Sequence, residues 1–168
     1  MTDPLPPTLL AIARRARPKA PMAVLDRAEI DPAFGVRGDA RGKPGRRQVT
    51  LLSAEAWAEA CAALGIRLPW TLRRANLLVS GLALAGTAGR RLRIGPVVLA
   101  VTGETDPCRR MDAQFPGLAA ALAPDWRGGV TCRVVAGGRV QAGDALEWIE
   151  AGEPAERRLG RVVAGVGG

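Results

Sequence analysis

The chain has 168 residues, 48% of them apolar and 24% charged, which suits one ordered domain with a substantial core. Its 24 basic residues outweigh 16 acidic ones, and the net charge of +8 favours an anionic ligand. The absence of histidine excludes a Ser-His-Asp triad, a Cys-His dyad and any His-ligated metal, so reactive chemistry falls to cysteine, carboxylates or a bound cofactor.

Residues 1–8 hold three prolines and little to bury, and read as an N-terminal tail. The domain is expected over 9–150, opening with "LLAIARRARPKAPMAVLDRAEI" as two short strands joined at "RPKAP". "FGVRGDARGKPGRR" is rich in glycine and basic residues and reads as a loop, followed by "RQVTLL" as a strand entering the core. Ser53 then opens a helix that Gly65 closes, with Glu55 in the first turn and Leu52 and Trp57 placed as a hydrophobic staple. Trp57, Cys61 and Leu64 share one face of it, which makes Cys61 a core residue.

From residue 72 the pattern turns to strands, "LRRANLLVSGLAL" and "RRLRIGPVVLAVTG", the second interrupted by a Gly95-Pro96 turn. "MDAQFPGLAAALAP" reads as one short helix or two broken pieces. "GVTCRVVAGGRVQAGDALEWI" reads as a hairpin turned at Gly137-Gly138, with Cys132 buried in mid-strand. Residues 151–168, ending in "GVGG", read as a flexible C-terminal tail. Roughly seven short strands result, with two or three short helices inserted in loops. Such strands leave fewest exposed edges in a mostly β, small closed β-barrel.

"ETDPCRRM" places Cys108 just past a strand and ahead of a helix. Unpaired helix amides and the charges of Arg109 and Arg110 favour its thiolate. At about 6 Å and an effective dielectric near 20, one arginine contributes roughly 2–3 kcal/mol before screening. Asp106 opposes that effect, and a small apolar residue beside solvated arginines explains the same letters. "RRANLLVSG" sets Arg73, Arg74 and Asn76 at the mouth of an apolar strand, and "GVRGDARGKPGRRQV" gathers arginines where backbone amides can clasp a phosphate. Nucleotide-binding fingerprints are absent, and so is any C-x-x-C pair for zinc.

Taken in order, "GVRGDARG…RRQVTLL", "LRRANLLVSGLAL", "GRRLRIGPVVLAVTGETDPCRRM" and "RGGVTCRVVAGGRVQAGDALE" resemble the short stand-alone MOSC domains, the family of the molybdenum cofactor sulfurase C-terminal domain. The resemblance spans about residues 9–149 and implies a β-barrel. It also implies that Cys108 matches a family cysteine, which ligates molybdenum in some members and is proposed to carry a persulfide in others. Arg74 and Asn76 match an arginine–asparagine motif near the pterin; because Ala75 intervenes, either Arg73 or Arg74 takes the arginine's role. Arg47, Gln48 and the Gly38-Asp39 pair match further pocket positions, and Arg109 stands beside the cysteine.

The expectation is therefore a cytoplasmic protein that binds the molybdenum cofactor (molybdopterin), with Cys108 as metal ligand. It reduces N-hydroxylated compounds with electrons from an external donor protein, and Asp106 or Asp112 acts as the acid. The alternative is a sulfur carrier, a sulfurtransferase that passes sulfane sulfur from a Cys108 persulfide and receives it from a partner. A remoter alternative, a basic barrel that binds nucleic acid, lacks aromatics among its basic clusters. Zinc, haem, pyridoxal phosphate and a membrane are not expected; a monomer and a homodimer both remain open.

Overall fold

The computed structural model describes residues 6–106 and 109–150. In chain order the strands begin with β1 (Thr8–Arg14), β2 (Ala23–Leu25), β3 (Arg27–Asp31), β4 (Gly35–Val36) and β5 (Val49–Ser53), which runs into helix α1 (Ala54–Leu64). A 3-10 turn (Trp70–Arg73) precedes β6 (Leu77–Ser80), and β7 (Arg91–Ile94) and β8 (Val97–Glu104) follow. Helices α2 (Arg109–Gln114) and α3 (Leu118–Leu122) lead to β9 (Val130–Ala136), β10 (Gly138–Gln141) and β11 (Leu146–Ile149).

Eight strands form one sheet in the order β11-β7-β8-β9-β5-β6-β1-β2, and β10-β3-β4 form a second. Pairing is antiparallel except between β5 and β6, which are joined by a crossover through α1 and so run parallel. The sheet is open where a closed barrel was expected. The outer edge of β1 is divided: its second half pairs with β2, while its start meets the chain before β11 only through the Thr8–Ala145 bridge and neighbouring backbone hydrogen bonds. Among the described residues eleven strands replace the expected seven, and Thr8, read as tail, is the first residue of β1.

Successive residues of a strand face opposite ways, so β5 serves two cores. Leu51 packs with Leu9, Ile12, Leu77, Leu99 and Cys132 on one face. Leu52 faces the helices and packs with Trp57, Cys61, Leu118 and Leu122. Helix α1 has the expected ends. The Ser53 hydroxyl accepts from the Ala56 amide at 3.1 Å, and Gly65 (φ 70°) closes the last turn on the Ala62 carbonyl. The 111–124 segment takes the two-piece option, broken at Pro116-Gly117.

Gly137-Gly138 does not turn a hairpin. β9 pairs with β8 and β5, whereas β10 leaves for the second sheet and pairs with β3. Close approach explains the two glycines: a Cβ at Gly137 would lie 2.7 Å from the Ile30 carbonyl oxygen, and one at Gly138 would lie 2.4 Å from Pro96 Cγ. The segment from Phe34 to Arg47, read as a loop, also contains more order than expected, since Gly35–Val36 pair with β3. Among the described residues no helix is long and apolar enough to cross a membrane.

Cys132 has no exposed surface, and burial pushes its thiol up to about 12 from the usual 9.0. Native protein is therefore expected to leave Cys132 unmodified by iodoacetamide at pH 8, with full modification in guanidinium, as peptide mass spectrometry will report. The folded value lies above the unfolded one. This thiol's contribution to stability is thus fully present below about pH 9 and lost as pH rises toward 12.

Candidate functional site

The end of β1, the loop after β4, the start of β5, the turn before β6 and the end of β8 converge on one side of the sheet. They enclose a cavity of about 1200 Å³. An adjoining chamber of about 410 Å³ shares Arg41, Arg47, Thr50, Arg74, Thr105 and Arg110 with it and extends to Arg73, Asp106 and Gly128.

Several sequence-predicted residues hold this wall together. Gln48 is buried; its Nε2 donates to the carbonyls of Pro32 (2.7 Å) and Gly42 (3.2 Å), and its Oε1 accepts from the Val134 amide at 2.9 Å. It anchors the basic loop to β9 and is not part of the cavity wall, so the pocket role read for it does not match its geometry. Asn76 does line the larger cavity. Its Oδ1 accepts from the Thr50 amide (3.1 Å) and hydroxyl (3.2 Å), while its Nδ2 donates to the Ala13 carbonyl at 3.2 Å, tying β1, β5 and β6 together.

The two candidate arginines part company. Arg73 is buried, with Nε donating to the Gly128 carbonyl (2.9 Å) and a terminal nitrogen to that of Thr105 (3.2 Å). Its guanidinium braces the chamber floor. Arg74 ends the 3-10 turn in the left-handed region (φ 61°) and lines both chambers. Arg47 lines both as well. Cys108 and the side chain of Arg109 lie outside the described residues. Asp106 and Arg110, which flank them in sequence, both line the smaller chamber. Of the two candidate acids, Asp112 accepts from the Ala119 amide at 3.0 Å and caps α3, whereas Asp106 is at the chamber.

Charge is the cavity's dominant property. Eight lysines and arginines line the larger chamber against a single acid, Asp39. Asp39 is itself engaged: its two oxygens accept from the Arg15 and Arg41 amides at 2.9 and 3.2 Å. Arg46 donates to the Thr102 carbonyl at 3.3 Å. The guanidinium groups of Arg15, Arg41, Arg47, Arg74 and Arg110 make no hydrogen bond or ion pair with a described residue. Burial, then the like charges of Arg74 and Arg41, press the pKa of Arg15 below its ordinary value, while Asp39 acts in the opposite sense. The Thr105 hydroxyl, on the wall shared by both chambers, is buried without a hydrogen-bond partner. At the end of β8, burial and then Asp106 hold the Glu104 carboxyl above its usual range.

Residues 33–147 match the family model of the MOSC domain. The chain belongs to the MOSC family. Among solved structures, the YUAD protein from Bacillus subtilis is similar at 23% identity, with 88% of this chain and 98% of that one covered and a TM-score of 0.70. YiiM from Geobacillus stearothermophilus (17% identity, 89% and 78% covered, TM-score 0.70) and YiiM from Escherichia coli (17% identity, 88% and 71% covered, TM-score 0.65) share the fold. Among curated proteins no sequence matches the chain.

MOSC domains are associated with the molybdenum cofactor. No motif of the sequence marks Arg15 or Thr105. The signal for Arg15 was faint: a second arginine directly after a strand. Thr105 carried none, because a threonine after a strand is ordinary.

Proposed function

We propose that this MOSC protein binds the molybdenum cofactor in the arginine-lined cavity, with Cys108 as a ligand to molybdenum. In this reading it reduces N-hydroxylated compounds with electrons from a separate donor protein. The observation that carries it is the set of five guanidinium groups without a hydrogen-bond or ion-pair partner among the described residues, around a cavity that reaches Asp106 and Arg110, on either side of Cys108 in sequence.

The residues present fit such a group. An anionic pterin needs cationic forks and hydrogen-bond donors, and the cavity offers both, including the orphaned Thr105 hydroxyl. Arg74 and Arg47 would hold the cofactor from both chambers, with Arg109 beside the cysteine. Arg73 and Asn76 act through the wall: one braces its floor and the other fixes β1 against β5. A thiolate is a soft ligand suited to molybdenum, and the bound metal supplies two-electron redox chemistry. Asp106 is the carboxyl at hand for proton delivery in the smaller chamber.

The test is molybdenum and pterin analysis of protein purified from a host that makes the cofactor, wild type beside Cys108→Ser. Stoichiometric molybdenum and pterin are expected in the wild type, with molybdenum lost in the variant. If neither protein holds the cofactor, the reading fails. A sulfur adduct on Cys108 by intact mass then favours the sulfur-carrier activity in its place.

A further inference from the structure

The sheet face under the larger chamber continues past it. Thr50 of β5 and Thr131 of β9 are register partners on that face, and both line the chamber. Alternate residues of a strand return to the same face, so Arg133, two residues along β9, stands on it about 7 Å away. Arg133 pairs with Ala100 of β8, and Ala100 with Arg91 of β7. Two arginines are thereby set about 10 Å apart across a low alanine floor. Arg46 joins them from the chamber's edge. It is exposed and donates to the Thr102 carbonyl at 3.3 Å, while the Thr102 hydroxyl meets that of Thr131 at 2.6 Å.

Arg133 is exposed and Arg91 partly so, and neither makes a side-chain hydrogen bond or ion pair with a described residue. Among the described strand residues of this face the acid is Glu147 of β11, which is paired with Arg93. The face therefore keeps a surplus of positive charge beside the cavity.

We propose that the outer face of β7, β8 and β9 docks an acidic protein, the electron donor of the reaction proposed above. The partner's identity rests on that reading; its acidity rests on the arginines alone. Fixed cations on an open sheet face select a surface rich in carboxylates, steer it at low salt and keep basic proteins away. The rows of Arg91, Arg93 and Arg133 hold no aromatic side chain on which a nucleic-acid base could stack. A donor seated there lies beside the chamber. Each turnover takes two electrons from it and two protons from solvent, and converts N–OH to N–H with release of one water.

The full chain, free of cofactor, is titrated by calorimetry across a salt series with flavodoxin, an acidic electron carrier, and with cytochrome c, a basic one. Flavodoxin alone is expected to bind, about tenfold or more weakly at physiological than at low ionic strength. Arg133→Glu and Arg91→Glu should each weaken it about tenfold. Arg27→Glu makes the same charge change on β3 of the second sheet and should leave the affinity unchanged. If one face variant does not fold, the other reads the same loss. No binding of flavodoxin, equal binding of cytochrome c, or equal losses in all three variants overturns the docking face. So does a single-stranded oligonucleotide that binds more tightly through the same arginines, or a dimer of the chain that Arg133→Glu dissociates.

Cofactor-loaded protein separates the surface from the function. Arg133→Glu should keep wild-type molybdenum content and wild-type turnover with dithionite, yet lose about tenfold with limiting reduced flavodoxin. Equal turnover of variant and wild type on flavodoxin overturns donor docking at this face. Arginine-dependent flavodoxin binding by a wild type that holds no molybdenum overturns the redox reading and leaves the acidic-protein surface standing.

Discussion

Gly129→Ala is expected to lower the melting temperature by roughly 10 °C, from a stability loss of about 4 kcal/mol. Gly129 precedes β9 with φ +95°, and an added Cβ would lie 2.1 Å from the Leu51 carbonyl oxygen. The backbone has little room to yield: the Gly129 amide donates to the Trp126 carbonyl and its own carbonyl accepts from Thr105, each at 2.9 Å. Alanine must therefore push β5 away from the start of β9, at an overpacking cost of about 1–3 kcal/mol, and hold a left-handed backbone at about 1–3 kcal/mol more. Gly86→Ala is the control. It shares the positive φ (+72°) but meets open space, so its cost should be about 1 kcal/mol. Thermal denaturation followed by circular dichroism measures both, and comparable losses in the two variants would rule out the steric account. The site feels the same displacement, because the neighbouring Gly128 carbonyl accepts from Arg73.

Gln48→Glu should destabilise the protein by about 3–5 kcal/mol at neutral pH. The substitution puts a carboxylate oxygen where Nε2 now donates to two carbonyls, in a side chain that is 2% exposed. A buried carboxyl facing carbonyl oxygens has its pKa raised above the unfolded value of about 4.3. The folded state then holds the extra proton, so stability is greatest below that value and falls as pH rises through the folded pKa. Urea unfolding at pH 4.5 and pH 7.5 should show the variant closer to wild type at the lower pH. A variant as stable as wild type at both pH values, yet unable to hold ligand, would make Gln48 a ligand contact and remove its anchoring role.

These two positions show where sequence reading works and where it stops. The ends of helix α1 were legible, since Ser53 and Gly65 act on amides and carbonyls within one turn of themselves, whereas Glu55 accepts from the Gly81 amide, 26 residues away. The β7–β8 turn at Gly95-Pro96 and the break at Pro116-Gly117 were legible for the same reason. Cys61 and Cys132 were placed in the cores by helical and strand periodicity, and the ordered motifs indicated the MOSC family that the family match establishes.

Tertiary structure alone decided what lies beyond a local signal. Gly137-Gly138 has the letters of a hairpin turn, and only the passage of Ile30 and Pro96 beside it sends β10 to β3. Arg73 and Arg74 are adjacent and chemically identical. One meets the Gly128 carbonyl, 55 residues away, and the other faces the cavity. Gln48 becomes an anchor because Pro32, Gly42 and Val134 arrive around it from three separate segments. The sequence by itself therefore determined the family and many of the local elements, and it carries the arginines and the cysteine on which the proposed chemistry rests. Which cations brace the wall and which remain available to a ligand depended on carbonyls delivered from distant parts of the chain, because a guanidinium's role is set by the acceptors that folding brings within about 3 Å of it.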